Sequence, residues 1–164
     1  MNDPKCKRFH RKCEEFSLCV NIGEAEYVIA EHSNERYCVF YYVIKGRGKI
    51  GKLFDANYIL AEPKKMYDVQ SLMNDSIVFQ ALEDFHLIGF NTLDKSIKWG
   101  CKELDENNKT INLSLENNIL LCLNGTMKIN NKSIKRYDYV SLESNVTYNI
   151  DINSDTEAFI FYHL

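Results

Sequence analysis

The sequence predicts an all-β protein, and three observations carry that reading. Short runs rich in Val, Ile, Tyr and Phe recur roughly every eight to twelve residues between Gly, Asn and Asp. Helical periodicity is nearly absent, and a segment of the first half recurs in the second. β-Branched and aromatic side chains fit a pleated, half-buried surface, and the Gly, Asn and Asp breaks supply turns. With 164 residues, 45% hydrophobic and 26% charged, the chain is an ordinary globular one, sized for one domain or two very small ones.

Strands are expected near 14–20, 25–32, 38–44, 47–53, 57–61, 66–70, 76–82 and 85–91 in the first half. Alternation puts Phe40 and Tyr42 on one face of the third run and Tyr41 and Val43 on the other, so one set is core. Gly46-Arg47-Gly48 makes the hairpin that follows; with no strand-to-helix context it is no phosphate loop, and Lys45, Arg47 and Lys49 give it a charged, edge-protecting rim. On the last run, His86 shares a face with Asp84 and Ile88 and reads as a structural histidine, although Glu83 and Asp84 are close enough in sequence to orient it as an acid/base. In the second half, strands are expected near 110–114, 118–123, 126–130, 137–142, 146–151 and 156–163. Cys38 and Cys122 sit inside apolar runs and belong to the core.

The domain plan is then a basic N-terminal arm over 1–13, a first β unit over 14–92, a connector over 93–109 and a second β unit over 110–164. The arm holds Lys5, Lys7, Arg8, Arg11 and Lys12 and reads as a solvated tail. The connector carries the single tryptophan, Trp99, in IKWGCKEL, a strand edge or one helical turn. Formal net charge is −3, and no basic face suited to nucleic acid emerges. No run has signal-peptide or membrane-span length, so the expectation is a soluble, cytoplasmic chain whose six cysteines are reduced. The only metal-like spacing is Cys6, His10 and Cys13, with Cys19 as a fourth group, and free thiols are the better reading of it.

The repeat pairs residues 43–69 with 122–150. It sets Gly46 opposite Gly125, Tyr58 opposite Tyr139, Glu62 opposite Glu143 and Tyr67 opposite Tyr148, and Asp75–Phe79 answers Asp155–Phe159. A period near 80 residues suits a duplicated small barrel rather than a solenoid.

The run YYVIKGRGKI followed by ANYILAEPKKMYDV resembles the cupin superfamily, with its motifs H-x-H-x4-E-x6-G and G-x5-P-x-G-x2-H-x3-N. The resemblance covers roughly residues 25–92 and 110–164, and with the repeat it implies two tandem jelly-roll barrels, a degenerate bicupin forming one compact body. Carried over by position, the family's metal ligands fall on His32, Asn34 and Val39, and then on Asp68 with Tyr67 beside it; Glu35 is nearby. The same positions in the second copy are Ile111, Leu113 and Asn118, then Glu143 and Tyr148 or Asn149. Too few ligands survive for a metal site, so the resemblance implies no metal and no cofactor. Three functions are weighed. The first is a non-catalytic module that binds a small polar ligand through His32, Glu35, Tyr67 and Asp68, or a protein partner, as a homodimer through a strand edge. The second is a metal-independent sugar-nucleotide epimerase or isomerase with His32 or His86 as base and Tyr67 as acid. The third is a metal-dependent oxygenase or isomerase using His32, Glu35 and Asp68.

Overall fold

The computed structural model describes residues 6–12, 16–31, 37–52, 55–72, 77–116 and 118–164. The chain divides into two units, Met1–Ser96 and Ile97–Leu164. The first holds β1 (Cys6–Lys12), β2 (Phe16–Gly23), β3 (Val28–Glu31), β4 (Tyr37–Lys45), β5 (Gly48–Lys52), β6 (Tyr58–Ala61), β7 (Lys65–Asp68), β8 (Ile77–Ala81) and β9 (Phe85–Thr92). They form two antiparallel sheets ordered β1-β2-β9-β4-β7 and β3-β8-β5-β6. The second unit holds β10 (Trp99–Leu104), β11 (Thr110–Asn112), β12 (Asn118–Asn124), β13 (Thr126–Ile129), β14 (Lys132–Lys135), β15 (Tyr139–Leu142), β16 (Thr147–Ile152) and β17 (Glu157–His163). Its sheets are ordered β10-β17-β12-β15 and β11-β16-β13-β14. Apart from β1, the two units therefore repeat one strand order, with the chain passing between sheets at the same places.

Each unit has its own core between its two sheets. In the first, three aromatic rings, Tyr41, Phe79 and Phe85, pack among Ile29, Val43, Ile50 and Leu87. The rings of Phe79 and Phe85 lie 5.3 Å apart, and that of Tyr41 lies 6.4 Å from Phe79. In the second it is aliphatic, built from Leu120, Met127, Ile129, Ile134, Ile150, Ile152 and Ile160.

Gly46 and Gly125 occupy the same place in the two units. Both have positive φ, 81° and 75°, and both turn the chain against the loop before the last strand: Gly46 against Asp84 and Phe85, Gly125 against Asp155 and Thr156. The other residue pairings of the repeat are corrected. Tyr58 lies in β6, whose counterpart is β14, whereas Tyr139 lies in β15, the counterpart of β7; likewise Phe79 is in β8 and Phe159 in β17. The cause is loop length. Asn130 and Asn131, both at positive φ, close the β13–β14 hairpin in two residues, while residues 53–57 join β5 to β6. The offset between copies shrinks along the chain, and no constant shift can align both ends.

One local feature does recur at the constant shift. The Tyr67 hydroxyl accepts the backbone N–H of Glu62 at 2.8 Å, and the Tyr148 hydroxyl accepts that of Glu143 at 2.9 Å. Each tyrosine closes a turn through a left-handed residue, Lys64 (φ 60°) or Asn145 (φ 61°). In the first unit this turn joins β6 to β7, and in the second it joins β15 to β16. Because the first of these hydrogen bonds is partly buried and the second is exposed, Tyr67→Phe should cost about 1 kcal/mol in urea denaturation and Tyr148→Phe clearly less.

Most of the arm, Cys6–Lys12, forms β1 and pairs with β2 from Cys6↔Gly23 to Lys12↔Ser17. Of the metal-like spacing there, Cys13 lies outside the described residues. Within the connector, Trp99–Leu104 forms β10, paired with β17, and Trp99 is fully buried. No helix among the described residues is long and apolar enough to cross a membrane.

Candidate functional site

The residues singled out from the sequence do not converge. His32 and Glu35 lie outside the described residues. Tyr67 and Asp68 are neighbours on β7 and so point to opposite faces. Tyr67 stands opposite Tyr41, a core residue, and faces inward; Asp68 stands opposite Phe40 on the outer face. The Asp68 carboxylate is used locally, accepting from the Gln70 backbone N–H at 2.9 Å and the Gln70 side-chain amide at 3.0 Å. His86 sits between Phe85 and Leu87, both inward, so it faces outward, away from Tyr67. Its acidic neighbours are engaged elsewhere. Glu83 accepts from Arg47 Nε at 2.8 Å, and Asp84 accepts the Ala25 N–H at 3.1 Å. A base and acid pair made of His86 and Tyr67 is therefore ruled out by the sheet between them.

The ladder instead assembles a polar set on the inner face of the five-stranded sheet. Residues opposite one another in a sheet share a face. Val43 and Leu87 are core residues, and the rung they form continues to Asn21. The next rung joins Cys19, Gly89, Tyr41 and Tyr67, and the third joins Ser17, Asn91 and Cys38. Ser17, Cys19, Asn21 and Cys38 are at most 3% exposed and Asn91 is 7% exposed. Asn21 donates to the Cys19 carbonyl at 3.4 Å and lies 3.6 Å from its sulfur, while the Cys38 thiol donates to the Phe40 carbonyl at 3.5 Å.

The second unit fills the equivalent face differently. Its rungs are Gly100–Tyr162, then Lys102–Ile160–Leu120–Val140, then Leu104–Ala158–Cys122. The Tyr162 ring covers Gly100 so closely that a Cβ there would meet it at 2.2 Å. Burial pushes the Cys122 thiol up to about 11, so it stays protonated and inert at neutral pH.

Near the Gly46 turn the surface carries two ion pairs. Arg47 binds Glu83, and Lys65 binds Glu62 at 2.8 Å. The hydrogen bond from Lys65 holds the Glu62 carboxyl below its usual range, and that from Arg47 to Glu83 holds the guanidinium above it. All four side chains are largely exposed, so the pairs fix local geometry and add little stability.

Sequence reading missed Ser17, Asn21 and Asn91, and weighed Cys19 only as a fourth group beside Cys6, His10 and Cys13. Their signal was the alternation of small polar residues with Phe16, Leu18 and Val20 in a strand buried on both faces. Ordinary alternation assigns such residues to solvent, and only their being short and uncharged hints at an interior.

No family model matches the chain, and no curated protein matches its sequence. Solved structures do. A cupin 2 conserved barrel domain protein from Leptotrichia buccalis superposes with a TM-score of 0.58 at 10% identity, covering 100% of this chain and 91% of that one. The fold is that of the cupins. YhaK from Escherichia coli matches with a TM-score of 0.71 at 7% identity, over 96% of this chain and 93% of that one. The bacterial pirin YhhW from Escherichia coli, solved with nickel(II), matches with a TM-score of 0.66 at 11% identity, over 99% of this chain and 93% of that one. These likenesses span both units and concern the fold alone.

A cupin-type metal site calls for imidazole and carboxylate ligands. The described inner face of the first unit supplies hydroxyl, amide and thiol groups, and no three His, Cys, Asp or Glu side chains gather among the described residues. His32 and Glu35, which the resemblance placed among the ligands, lie outside the described residues.

Proposed function

We propose that the protein is a metal-free, non-catalytic cupin-fold module that binds a small polar ligand on the inner face of its first unit. One observation carries the reading: on three rungs of its inner face the first unit sets Ser17, Cys19, Asn21, Cys38, Tyr41 and Asn91 beside Val43, Leu87 and Gly89, where the second places Gly100, Leu104, Leu120, Val140, Ala158 and Ile160 and keeps only Lys102, Cys122 and Tyr162 as polar groups. Buried polar groups are costly unless hydrogen-bonded. An amide such as that of Asn91, 7% exposed, is an element to which a ligand hydroxyl or carbonyl would bond. The chemistry of this face is neutral donors and acceptors, which suits an uncharged hydroxyl- or amide-bearing molecule. His32 and Glu35 precede Cys38 in the chain by few residues and belong to the same proposal.

The test uses native mass spectrometry of gently purified full-length protein, which retains a bound small molecule as added mass. Asn91→Leu and His32→Ala should each lose that mass, whereas Tyr148→Phe, in the second unit, should keep it. Retention of the ligand by Asn91→Leu in a folded protein would place the site elsewhere.

A further inference from the structure

We propose that the inner face of the first unit takes a flat, uncharged heterocycle with a ring amide, lying on Gly89 with its amide edge against Asn91; the inference rests on the reading of that face as a ligand site. Gly89 lies on β9, the middle strand of five, and on the middle polar rung between Cys19 and Tyr41. Nothing in its backbone asks for glycine. Positive φ among the described glycines belongs to Gly46 and Gly125, so Gly89, buried inside β9, has a conformation that any residue adopts. Glycine weakens a strand interior, and where it is kept there it often marks a place that a ligand or another backbone approaches closely.

The second unit fills the same position. Setting Gly46 on Gly125 sets Tyr41 on Leu120, and Leu120 pairs with Ile160 as Tyr41 pairs with Gly89. Ile160 is fully buried and belongs to the core of its unit. Two residues further along, Asn91 answers Tyr162. Gly48 and Gly100 each lie under a ring, of Phe79 and Tyr162 respectively, and that ring accounts for the glycine. Tyr41, the aromatic neighbour of Gly89 on its rung, packs instead on Phe79. Where the second unit has an isoleucine and a tyrosine, the first therefore has a bare backbone and a primary amide.

The groups around that place select the chemistry of the ligand. Asn91 stands two residues along β9 from Gly89 and so on the same face, and its amide carries a donor and an acceptor in one plane. Its complement is an acceptor and a donor side by side, the arrangement by which asparagine meets the edge of adenine. A ring amide or amidine holds that pair cis, whereas an open-chain secondary amide, being trans, does not. Ser17, Cys19, Cys38 and Tyr41 on the same two rungs are uncharged, so these groups offer a charged head no counter-ion. Flatness follows from the missing side chain: a planar ring lies against the strand between Cys19 and Tyr41 at the depth that Ile160 fills in the second unit.

Ligand-observed saturation-transfer NMR on the full chain tests it, with α-pyridone as the ring amide, N-methyl-α-pyridone as the same ring without its donor, and erythritol as an open-chain neutral polyol. The wild type should bind α-pyridone, and the N-methyl compound at least about ten-fold more weakly, because the Asn91 acceptor is then left without a donor. Gly89→Ala should weaken α-pyridone by a similar factor with unchanged circular dichroism and unfolding midpoint, since alanine suits a strand interior at least as well as glycine. The comparison of the two pyridones needs no variant and stands even if Gly89→Ala fails to fold. No binding of α-pyridone, equal binding of the two pyridones, undiminished binding by folded Gly89→Ala, or binding of erythritol alone overturns the inference. The reading beneath it fails separately. In native mass spectra, a retained mass that Asn91→Leu loses and Gly89→Ala keeps defeats only the placement on Gly89, whereas a mass that folded Asn91→Leu keeps defeats the ligand site itself.

Discussion

Gly46→Ala is expected to destabilise the protein by about 3 kcal/mol, and Gly125→Ala by about half as much, although the two glycines hold the same place in their units. The backbone strain is common to both, since φ is 81° at one and 75° at the other, and it costs an L-residue about 1–2 kcal/mol. The surroundings differ. A Cβ on Gly46 would lie 2.3 Å from the Asp84 carbonyl oxygen and 3.0 Å from the Phe85 Cα, both backbone atoms fixed by the start of β9. Overpacking of that kind adds about 1–3 kcal/mol. A Cβ on Gly125 would first meet the Thr156 hydroxyl, at 2.9 Å. That hydroxyl donates its one proton between two acceptors, the Thr126 carbonyl at 2.8 Å and Asn153 Oδ1 at 2.9 Å, and can turn away at the loss of that bond. Urea denaturation of the two variants measures the difference, and an equal or larger loss for Gly125→Ala would show that the β8–β9 turn yields more easily than its geometry indicates.

The same pair of glycines marks how far the sequence could be read. Strands with an apolar face were legible, and the runs expected from 38–44 and 118–123 match β4 and β12 to within a residue. The three strands not expected, or left undecided, are β1, β10 and β14, each at the edge of its sheet. An edge strand is selected against apolar residues on its open side, so KSIK and GCKEL carry too little pattern to declare themselves. β6 was legible for the opposite reason: its Tyr-Ile-Leu run breaks the rule that hides other edges. The duplication was legible from Gly46 and Gly125, which answer a backbone requirement no other residue meets as well. Its register was not, because tyrosine and glutamate recur for local turn closure, as at Tyr67 and Tyr148, whichever strands the turn connects. The polar inner face of the first unit was hidden because cross-strand pairing, absent from any local pattern, is what brings Ser17, Asn91 and Cys38 onto one rung.

Phe79→Ala is expected to cost about 3–5 kcal/mol, the largest loss of any single substitution considered, because it removes a fully buried ring from the first core. That ring is also what forbids a side chain at Gly48, where a Cβ would lie 2.3 Å from the Phe79 Cζ and 2.8 Å from the Gln80 carbonyl oxygen. Gly48→Ala alone should therefore cost about 2–3 kcal/mol by overpacking. In the Phe79→Ala background the ring clash is gone and only the backbone contact with Gln80 remains, so the second substitution should cost about 1 kcal/mol. The two changes are thus non-additive by about 1–2 kcal/mol, as expected for residues in direct contact. Equilibrium denaturation of the wild type, both single variants and the double variant gives this coupling directly; strict additivity would mean that the ring already moves aside at little cost. The loss also reaches the proposed site. Phe79 lies against Tyr41, which stands on the middle polar rung beside Gly89 and Cys19. A cavity at residue 79 lets the Tyr41 ring drop toward the opposite sheet, so Phe79→Ala should weaken ligand retention in native mass spectra even under conditions where the variant remains folded.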